Sequence, residues 1–282
     1  MDIGVFSFNT HYGIDPATLA RALEARGFDS LWIGEHSHIP VSRRTPYPAG
    51  GELPRQYSHM MDPFVSLMAA GAATTRLKLA TGVCLVIERD PLMLAKEIAT
   101  LDQLTGGRFL FGIGGGWNAE EMENHGTAFD TRWRVLKERV EAMKVLWTEE
   151  EPSYHGEFVD FDPVWSFPKP VQQPHPPVIF GGGTALGRKR VADYCDGWAP
   201  IDLLVGDVPA ALDDLKARCE AAGRDPASIE VSMWCWEAPD EARLQHYRAL
   251  GIARVVLFLP VDDRAAEMPF LDRYAALIPK LA

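Results

Sequence analysis

Residues 108–118 read RFLFGIGGGWN, a strand-like run from Arg108 to Ile113 that passes directly into three glycines, Trp117 and Asn118. A short apolar and aromatic run of this kind predicts a buried strand. Glycines that follow a strand leave backbone N–H and C=O groups bare, so a planar ring or an anion can approach them. The segment therefore predicts a binding loop at a strand end, although the same residues also form flexible strand-to-helix turns.

Outward from this segment, short strand-like runs alternate with helical patterns along the whole chain. Asp15-Pro16 is typical of a helix start, and Gly106-Gly107 of a helix end. Strands are predicted at residues 3–6, 29–34, 77–83, 108–113, 177–180, 197–199, 229–234 and 253–259. Eight strands, most followed by helices, predict a closed (β/α)8 TIM barrel that forms a single domain over residues 1–282. An open doubly wound sheet is disfavoured because the first strand ends without a G-x-G-x-x-G fingerprint.

Two connections, residues 36–62 and 148–176, are long insertions in this pattern. Loops beyond about 15 residues in a compact domain are usually functional or disordered. Both segments contain aromatic residues and prolines, which favours packed lids. The first follows the C-terminal end of a strand and is expected on the catalytic face. The second enters the fifth strand from the opposite end and is expected to pack elsewhere.

Composition excludes several classes of partner. The net charge is −11 and the pI about 5.2, which disfavours nucleic acid and anionic membrane surfaces. No apolar run approaches the roughly 18 residues of a transmembrane helix, and the N-terminus lacks the features of a signal peptide. The cysteines lie far apart, without a C-x-x-C pair, and favour a reducing cytoplasm over a disulfide or zinc framework: Cys84, Cys195, Cys219 and Cys235.

Three further strand ends carry candidate site residues. Gly82 interrupts the third strand, where glycine is typical of a bulge or of close approach by a flat ligand. The fifth strand ends in residues 181–184 (GGGT) and leads into a helix that carries Arg188. Bare N–H groups, a hydroxyl and a nearby guanidinium predict an anion site, the best phosphate-binding candidate in an acidic chain.

The second strand ends in Glu35-His36-Ser37-His38. A carboxylate and an imidazole at a strand end can orient a substrate or transfer a proton, and histidine has the pKa for that work. Alternatively, both side chains only bond loop backbone. The His36-x-His38 spacing also raises a metal-dependent hydrolase as a remote alternative, with Asp262 as the further ligand; otherwise no metal is expected.

Together these motifs resemble the luciferase-like monooxygenase superfamily, and in particular its coenzyme F420-dependent oxidoreductase branch. The resemblance covers the chain to about residue 200 and then fades. The segments that carry it are residues 27–36 (GFDSLWIGEH), 91–107 (PLMLAKEIATLDQLTGG), 108–126 (RFLFGIGGGWNAEEMENHG), 132–147, 155–158 (HGEF), 168–172 (PKPVQ) and 177–197.

The resemblance implies concrete roles for these positions. A non-prolyl cis peptide at Gly82–Val83, or at its neighbour, would lie under the ring of the cofactor. Gly114, Gly115, Gly116, Trp117 and Asn118 would line the ring, and Gly181, Gly182, Gly183 and Thr184 with Arg188 would hold the phosphate. His36, preceded by Glu35, matches the ring- or substrate-facing histidine of the family. Trp117 stands where some sugar-phosphate dehydrogenases of this branch carry an acidic glutamate, so that particular chemistry is not expected here.

The resulting expectation is a cytoplasmic oxidoreductase, a homodimer, that moves hydride between F420 and a small organic substrate. Three alternatives stay open: an FMN-dependent monooxygenase, the metal-dependent hydrolase, and a non-catalytic cofactor carrier. Trp234, Trp236 and Phe258 predict an apolar or aromatic substrate pocket, although core packing would explain them as well.

Overall fold

The computed structural model describes residues 1–261 and 264–281, and these residues form the predicted barrel. Their strands are β1 (Asp2–Ser7), β2 (Ser30–Ile33), β3 (Lys78–Thr81), β4 (Phe109–Ile113), β5 (Tyr154–His155), β6 (Asp160–Phe161), β7 (Val178–Phe180), β8 (Gly197–Trp198), β9 (Glu230–Cys235) and β10 (Arg254–Phe258). Eight of them close into a parallel barrel in the order β1-β10-β9-β8-β7-β4-β3-β2, while β5 and β6 pair separately. The predicted fold class is therefore confirmed.

The helices lie between the strands in sequence, except for the last two, which follow β10. Their bounds are α1 (Pro16–Ala25), α2 (Pro63–Ala72), α3 (Pro91–Thr105), α4 (Ala119–Asn124), α5 (Arg132–Thr148), α6 (Ala185–Tyr194), α7 (Asp202–Val205), α8 (Val208–Ala221), α9 (Glu241–Ala249), α10 (Arg264–Ala275) and α11 (Ile278–Leu281). Short 3-10 turns span Arg55–Ser58, Val86–Glu88 and Pro226–Ser228. Among the helices of the described residues, none has the length and apolar character required to cross a membrane.

Aspartates fix where the helices after the strands begin. The carboxylates of Asp15, Asp62 and Asp90 each accept an N–H of the first helical turn at 2.9 Å, in α1, α2 and α3 respectively. A proline follows each of these caps at the first helical position. The cap satisfies one of the unpaired N–H groups, and the proline has none to satisfy, so the sequence sets the entry of each helix locally.

The core forms two layers, as expected for such a barrel. One layer packs the outer surface of the strands against the helices. The other fills the inside of the barrel and includes Phe6, Trp32, Leu110, Ile179 and Trp234. A filled interior leaves the C-terminal ends of the strands as the place where a ligand can bind.

The connection between α5 and β7 packs away from that face, as predicted. It contains the β5–β6 hairpin and is held through the buried carboxylate of Asp102 on α3. Asp102 accepts the N–H groups of Val171 at 2.8 Å and of Gln172 at 3.0 Å, and the Gln172 amide donates to the carbonyl of Phe109, where β4 begins. The contacts lie at the N-terminal end of β4, opposite the ends that carry the predicted site.

Candidate functional site

The barrel order brings the predicted site residues to one side of the catalytic face. β2, β3, β4 and β7 are consecutive neighbours in the barrel, so the segments that follow them meet. These segments carry His36, Val83, the glycines from Gly114 and the glycines from Gly181. The sequence placed them on separate strands, and the closed barrel makes them one site.

Val83 forms the floor between the two glycine segments. The predicted cis peptide is present between Gly82 and Val83. A Cβ added at Gly114 would lie 2.5 Å from Val83 Cγ2, and one at Gly181 would lie 2.7 Å from Val83 Cγ1. Both glycines therefore make room for the valine side chain, which stays partly exposed. The backbone there is not left bare for a ligand, so Val83 supplies that part of the surface.

The next glycine packs against a tryptophan flanked by two cations. A Cβ at Gly115 would lie 2.4 Å from the ring of Trp133. The guanidinium carbon of Arg190 lies 4.1 Å from the centroid of that ring, and that of Arg132 lies 4.9 Å from it. Burial lowers the pKa of both arginines, and their mutual repulsion lowers that of Arg132 further. Neither guanidinium pairs with a carboxylate of the described chain, and Nε of Arg132 is buried without an acceptor. Both side chains are half-buried, and Arg132 Nη1 donates to the Phe129 carbonyl at 2.5 Å, but no carboxylate among the described residues balances their charge.

Arg188, the predicted phosphate ligand, has partners of its own. Its Nε donates to Asp214 at 2.5 Å and its Nη1 to the carbonyl of Gly183 at 3.0 Å. Thr184 caps α6, since its hydroxyl accepts the Gly187 N–H at 3.0 Å. Arg190, two residues further along the helix, is the residue whose charge is unmatched. The sequence analysis singled out Arg188 on this helix and not Arg190, whose guanidinium carbon lies 4.1 Å from the ring centroid of Trp133 at the start of α5.

His36 is held by a buried carboxyl group that was not predicted. Its Nδ1 lies 2.6 Å from Glu121 Oε2, and the other oxygen of Glu121 accepts the Ser37 N–H at 3.0 Å. The side chain of Glu121 is 1% exposed and that of His36 is 7% exposed. Since Nδ1 is engaged, Nε2 is the nitrogen available to a ligand. A histidine oriented by a carboxyl group is the arrangement that general acid–base catalysis uses.

Glu35 sits beside this pair but is occupied. One oxygen accepts the Leu85 N–H at 2.7 Å and the other accepts Arg89 Nε at 2.6 Å. Arg89 also bonds Asp62 at 2.8 Å, and its guanidinium lies 4.8 Å over the ring of Phe64. The partners of Glu35 thus connect the end of β2 to the segment after β3 and to α2. This geometry is that of a positioning carboxylate.

The histidines do not converge on a metal. His38 Nδ1 contacts the hydroxyl of Ser37 at 2.8 Å, and its Nε2 contacts the amide of Asn124 at 2.9 Å, whereas His36 faces Glu121. Within residues 1–261 and 264–281 no group of three or more potential ligands is arranged for a metal ion. Asp262, the further ligand of the hydrolase hypothesis, lies outside the described residues.

The first long connection folds over the site and lines it with aromatic rings. The carboxylate of Glu120 on α4 accepts the Thr45 hydroxyl at 2.6 Å and the Thr45 N–H at 3.1 Å, which fastens the loop. The bond from the Thr45 hydroxyl and several backbone N–H groups lower the pKa of Glu120 to about 2, although burial opposes this shift. The ring of Trp117 then lies 5.6 Å from His36 and 6.3 Å from Tyr57. The predicted lid on the catalytic face is present.

Aromatic residues continue around the other side of the opening. Phe258 lies 5.7 Å from Trp234 and 5.4 Å from Trp236, and Trp236 is 40% exposed. Trp234 is also core, because a Cβ at Gly82 would lie 2.6 Å from its ring. Trp236 and Phe258 therefore border the opening, while Trp234 belongs to the packing beneath it.

Comparison with known proteins identifies relatives over nearly the full length. Residues 1–266 match the luciferase-like monooxygenase family. An uncharacterised protein of Mycobacterium tuberculosis is 43% identical over 285 residues, covering 98% of both chains. An FMNH2-dependent dimethylsulfone monooxygenase of Pseudomonas putida is 34% identical over 155 residues, 54% of this chain and 42% of that protein.

Solved structures show the same fold at low identity. The monooxygenase RslO1 from Streptomyces bottropensis has a TM-score of 0.80 at 22% identity, over 100% of both chains. An F420-dependent secondary alcohol dehydrogenase has a TM-score of 0.79 at 20% identity, over 100% of this chain and 99% of that one. At these identities the likeness concerns the fold alone.

A third buried glutamate, Glu88, lies behind the site. Its side chain is 4% exposed, and neither oxygen has a hydrogen-bond partner. Burial, with repulsion from Glu121 and then Glu35, raises its pKa to about 9 although Arg89 opposes the shift. His125 Nε2 lies 3.8 Å away, and burial lowers the pKa of that imidazole. The contact therefore joins a neutral acid and a neutral base at pH 7.

Glu88 gives the fold a pH dependence that can be measured. Its ordinary pKa is 4.5, so between that value and about 9 the folded chain holds a proton that the unfolded chain has released, and stability falls as pH rises. Glu88→Gln should remove this dependence of stability on pH. The Tm of the variant relative to that of wild type should therefore rise by several degrees as the pH increases from about 5 to about 9. Thermal denaturation across that range checks it, with the exposed Glu123→Gln as control. Parallel curves for wild type and Glu88→Gln would show that Glu88 is ionised in the fold.

Proposed function

The chain belongs to the luciferase-like monooxygenase family, and on that premise we propose that it is an F420-dependent oxidoreductase acting on a small organic substrate. The observation that carries the proposal is the buried His36–Glu121 pair at the opening of the barrel. Moving a hydride to or from a carbonyl or alcohol also requires a proton to move at oxygen, and an oriented imidazole supplies that function. The deazaflavin, when bound, supplies the hydride chemistry.

Two observations support a flavin-type ring and its phosphate at this site. Asn118, after the strand-4 glycines, is 1% exposed, and both atoms of its side-chain amide lack a partner among the described residues. An amide with a free donor and a free acceptor suits the polar edge of a flavin or deazaflavin. Arg132 and Arg190 have no carboxylate partner beside Gly115, and a phosphate would supply the missing negative charge. We propose that these residues hold the group, with Val83 and Trp117 beside the ring.

Within this proposal the chain's own residues divide the work. His36 Nε2 exchanges a proton with the substrate, while Glu121 holds Nδ1 and so fixes the plane of the ring. Glu35, predicted as catalytic, is assigned a positioning role because both of its oxygens are already bonded. Arg188 positions the strand-7 glycines through Gly183 instead of binding the phosphate directly.

A second candidate is an FMN-dependent monooxygenase. It is favoured by the 34% identity to the FMNH2-dependent dimethylsulfone monooxygenase, and the same glycine loops and arginines would hold FMN. Oxygen consumption by the chain with supplied FMNH2 and a substrate would support this candidate over the first.

Cofactor titration separates the two candidates and tests the anion site. Fluorescence titration should give micromolar binding of F420 and negligible binding of FMN. Arg190→Gln should weaken F420 binding at least about tenfold, because a charged hydrogen bond contributes roughly 1.5–3 kcal/mol. Lys189→Gln is the matched control, since Lys189 pairs with Asp193 on the exposed side of the same helix. FMN binding without F420 binding would overturn the F420 assignment, and equal losses in both variants would overturn the role of Arg190.

The proton-transfer role is tested on an alcohol or ketone that wild type turns over with F420. His36→Gln should lower kcat by about 10²–10⁴-fold, while F420 binds with unchanged affinity. Glu121→Gln should lower kcat and alter the pH profile, because Nδ1 then loses its carboxyl partner. If His36→Gln retains full turnover, the proton comes from elsewhere. If wild type binds F420 yet transforms no substrate in a broad panel, the chain is a cofactor carrier.

We also propose a cytoplasmic homodimer. The four cysteines are unpaired and buried, which is compatible with a reducing compartment. Apolar side chains on α2 and α3 face solvent in the single chain: Val65 is 72% exposed, Met93 61% and Leu104 66%. In a dimer, the partner subunit would cover these apolar side chains. Sedimentation velocity should give a dimer near twice 31.3 kDa, which Met93→Asp should dissociate; a monomeric wild type would overturn this proposal.

A further inference from the structure

The cations around the opening of the barrel fall into two groups. Most have a carboxylate partner: Arg44 pairs with Glu120 and Glu123, Arg89 with Glu35, Arg188 with Asp214 and Arg243 with Asp202. Arg132 and Arg190 do not, and the proposed cofactor phosphate accounts for them. In the strand-2 loop, Arg55 contacts His59 and lies over the ring of Tyr12, which leaves Arg43.

Arg43 has no counter-charge in the described part of the chain. No carboxylate of residues 1–261 and 264–281 lies within ion-pair distance of its guanidinium, and its Nη1 is buried without an acceptor there. Its guanidinium carbon lies 5.9 Å from the centroid of the Trp117 ring. Removing a guanidinium nitrogen from water without an acceptor costs free energy, and a cation–π contact at that distance offsets little of it. A ligand that brings an anion would complete the pairing.

The loop around Arg43 is fixed by its neighbours. Arg44 bonds Glu123 at 2.8 Å, and Thr45 bonds Glu120 at 2.6 Å, so the two residues that follow Arg43 are fastened to α4. The guanidinium is therefore carried on a restrained segment. A restrained cation loses less conformational entropy when it binds a ligand.

Arg43 and His36 border the same aromatic ring. Both lie within 6 Å of the same indole, since His36 is 5.6 Å and Arg43 5.9 Å from the Trp117 ring. Tyr57 and Tyr47 border that indole at 6.3 and 6.1 Å. A molecule that reaches both His36 with its reacting oxygen and Arg43 with its charge would therefore lie against this indole and the tyrosines beside it. Aromatic walls suit a flat or conjugated body.

We propose that the substrate is a small aromatic or conjugated acid, and that Arg43 binds its carboxylate while its body packs against Trp117 and the tyrosines. This deepens the proposed function, because it names a substrate class for the same site. The guanidinium fork matches a carboxylate in two parallel hydrogen bonds, which makes arginine selective for this group over a neutral amide.

The test uses the full chain without cofactor, with benzoate as the acid probe and benzamide as its neutral counterpart. Isothermal titration calorimetry should show benzoate bound at least about tenfold more tightly than benzamide, as one charged hydrogen-bonded pair implies. Arg43→Gln should abolish the preference. Arg55→Gln is the matched control: it removes the same charge from the same loop, and its guanidinium lies 4.7 Å over the ring of Tyr12 instead.

The outcomes are distinct from those of the cofactor test. Equal binding of the two probes by wild type, no benzoate binding at millimolar concentration, or an unchanged preference in Arg43→Gln would each overturn the proposal. A loss of F420 affinity in Arg43→Gln would assign the cation to an anionic group of the cofactor and would also overturn it. Because benzoate binding is measured without cofactor, a failed F420 titration leaves this result standing by itself.

Discussion

The guanidinium of Arg89 is the interaction on which the catalytic face depends. It bonds Glu35 at the end of β2 and Asp62 at the start of α2, and it approaches Glu97 on α3 at 3.4 Å. Asp62 is also the N-cap of α2, so one side chain links a strand end, a helix start and a second helix. A buried carboxylate with its cation removed is strongly destabilising. The backbone that presents His36 is therefore fixed by its immediate neighbour in sequence, Glu35.

Three buried glutamates lie behind His36, and each has different partners. Glu35 takes the guanidinium directly, and Glu121 takes His36 and the Ser37 N–H. Glu88 has no hydrogen-bond partner, and repulsion from the other two adds to burial in raising its pKa to about 9. Because Glu88 is protonated at pH 7, it adds no negative charge behind His36.

The fold was predictable because its signals are local. Each helix that follows an aspartate-proline pair starts where the sequence marks it, and the eight strands appear as short apolar runs. The strand-to-helix turn after β4 was also visible, but α4 and α7, of six and four residues, are too short for a helical period to show. Glu121 escaped prediction for that reason: its importance comes from His36, 85 residues away, and no spacing rule connects them.

The glycines and arginines show what the sequence leaves open about the candidate site. Gly114 and Gly181 were predicted to contact a ligand, whereas the side chain of Val83 packs against both of them. A glycine in a sequence does not reveal which group packs against it. The ion pairs of the arginines could not be read from the sequence either. In a chain of net charge −11, Arg44, Arg89, Arg188 and Arg243 pair with carboxylates. Arg43, Arg132 and Arg190 have no such partner in the described part of the chain, and only the three-dimensional arrangement reveals this difference. Three cations without a carboxylate partner at one face are local binding points for anionic groups in a chain whose net charge is negative.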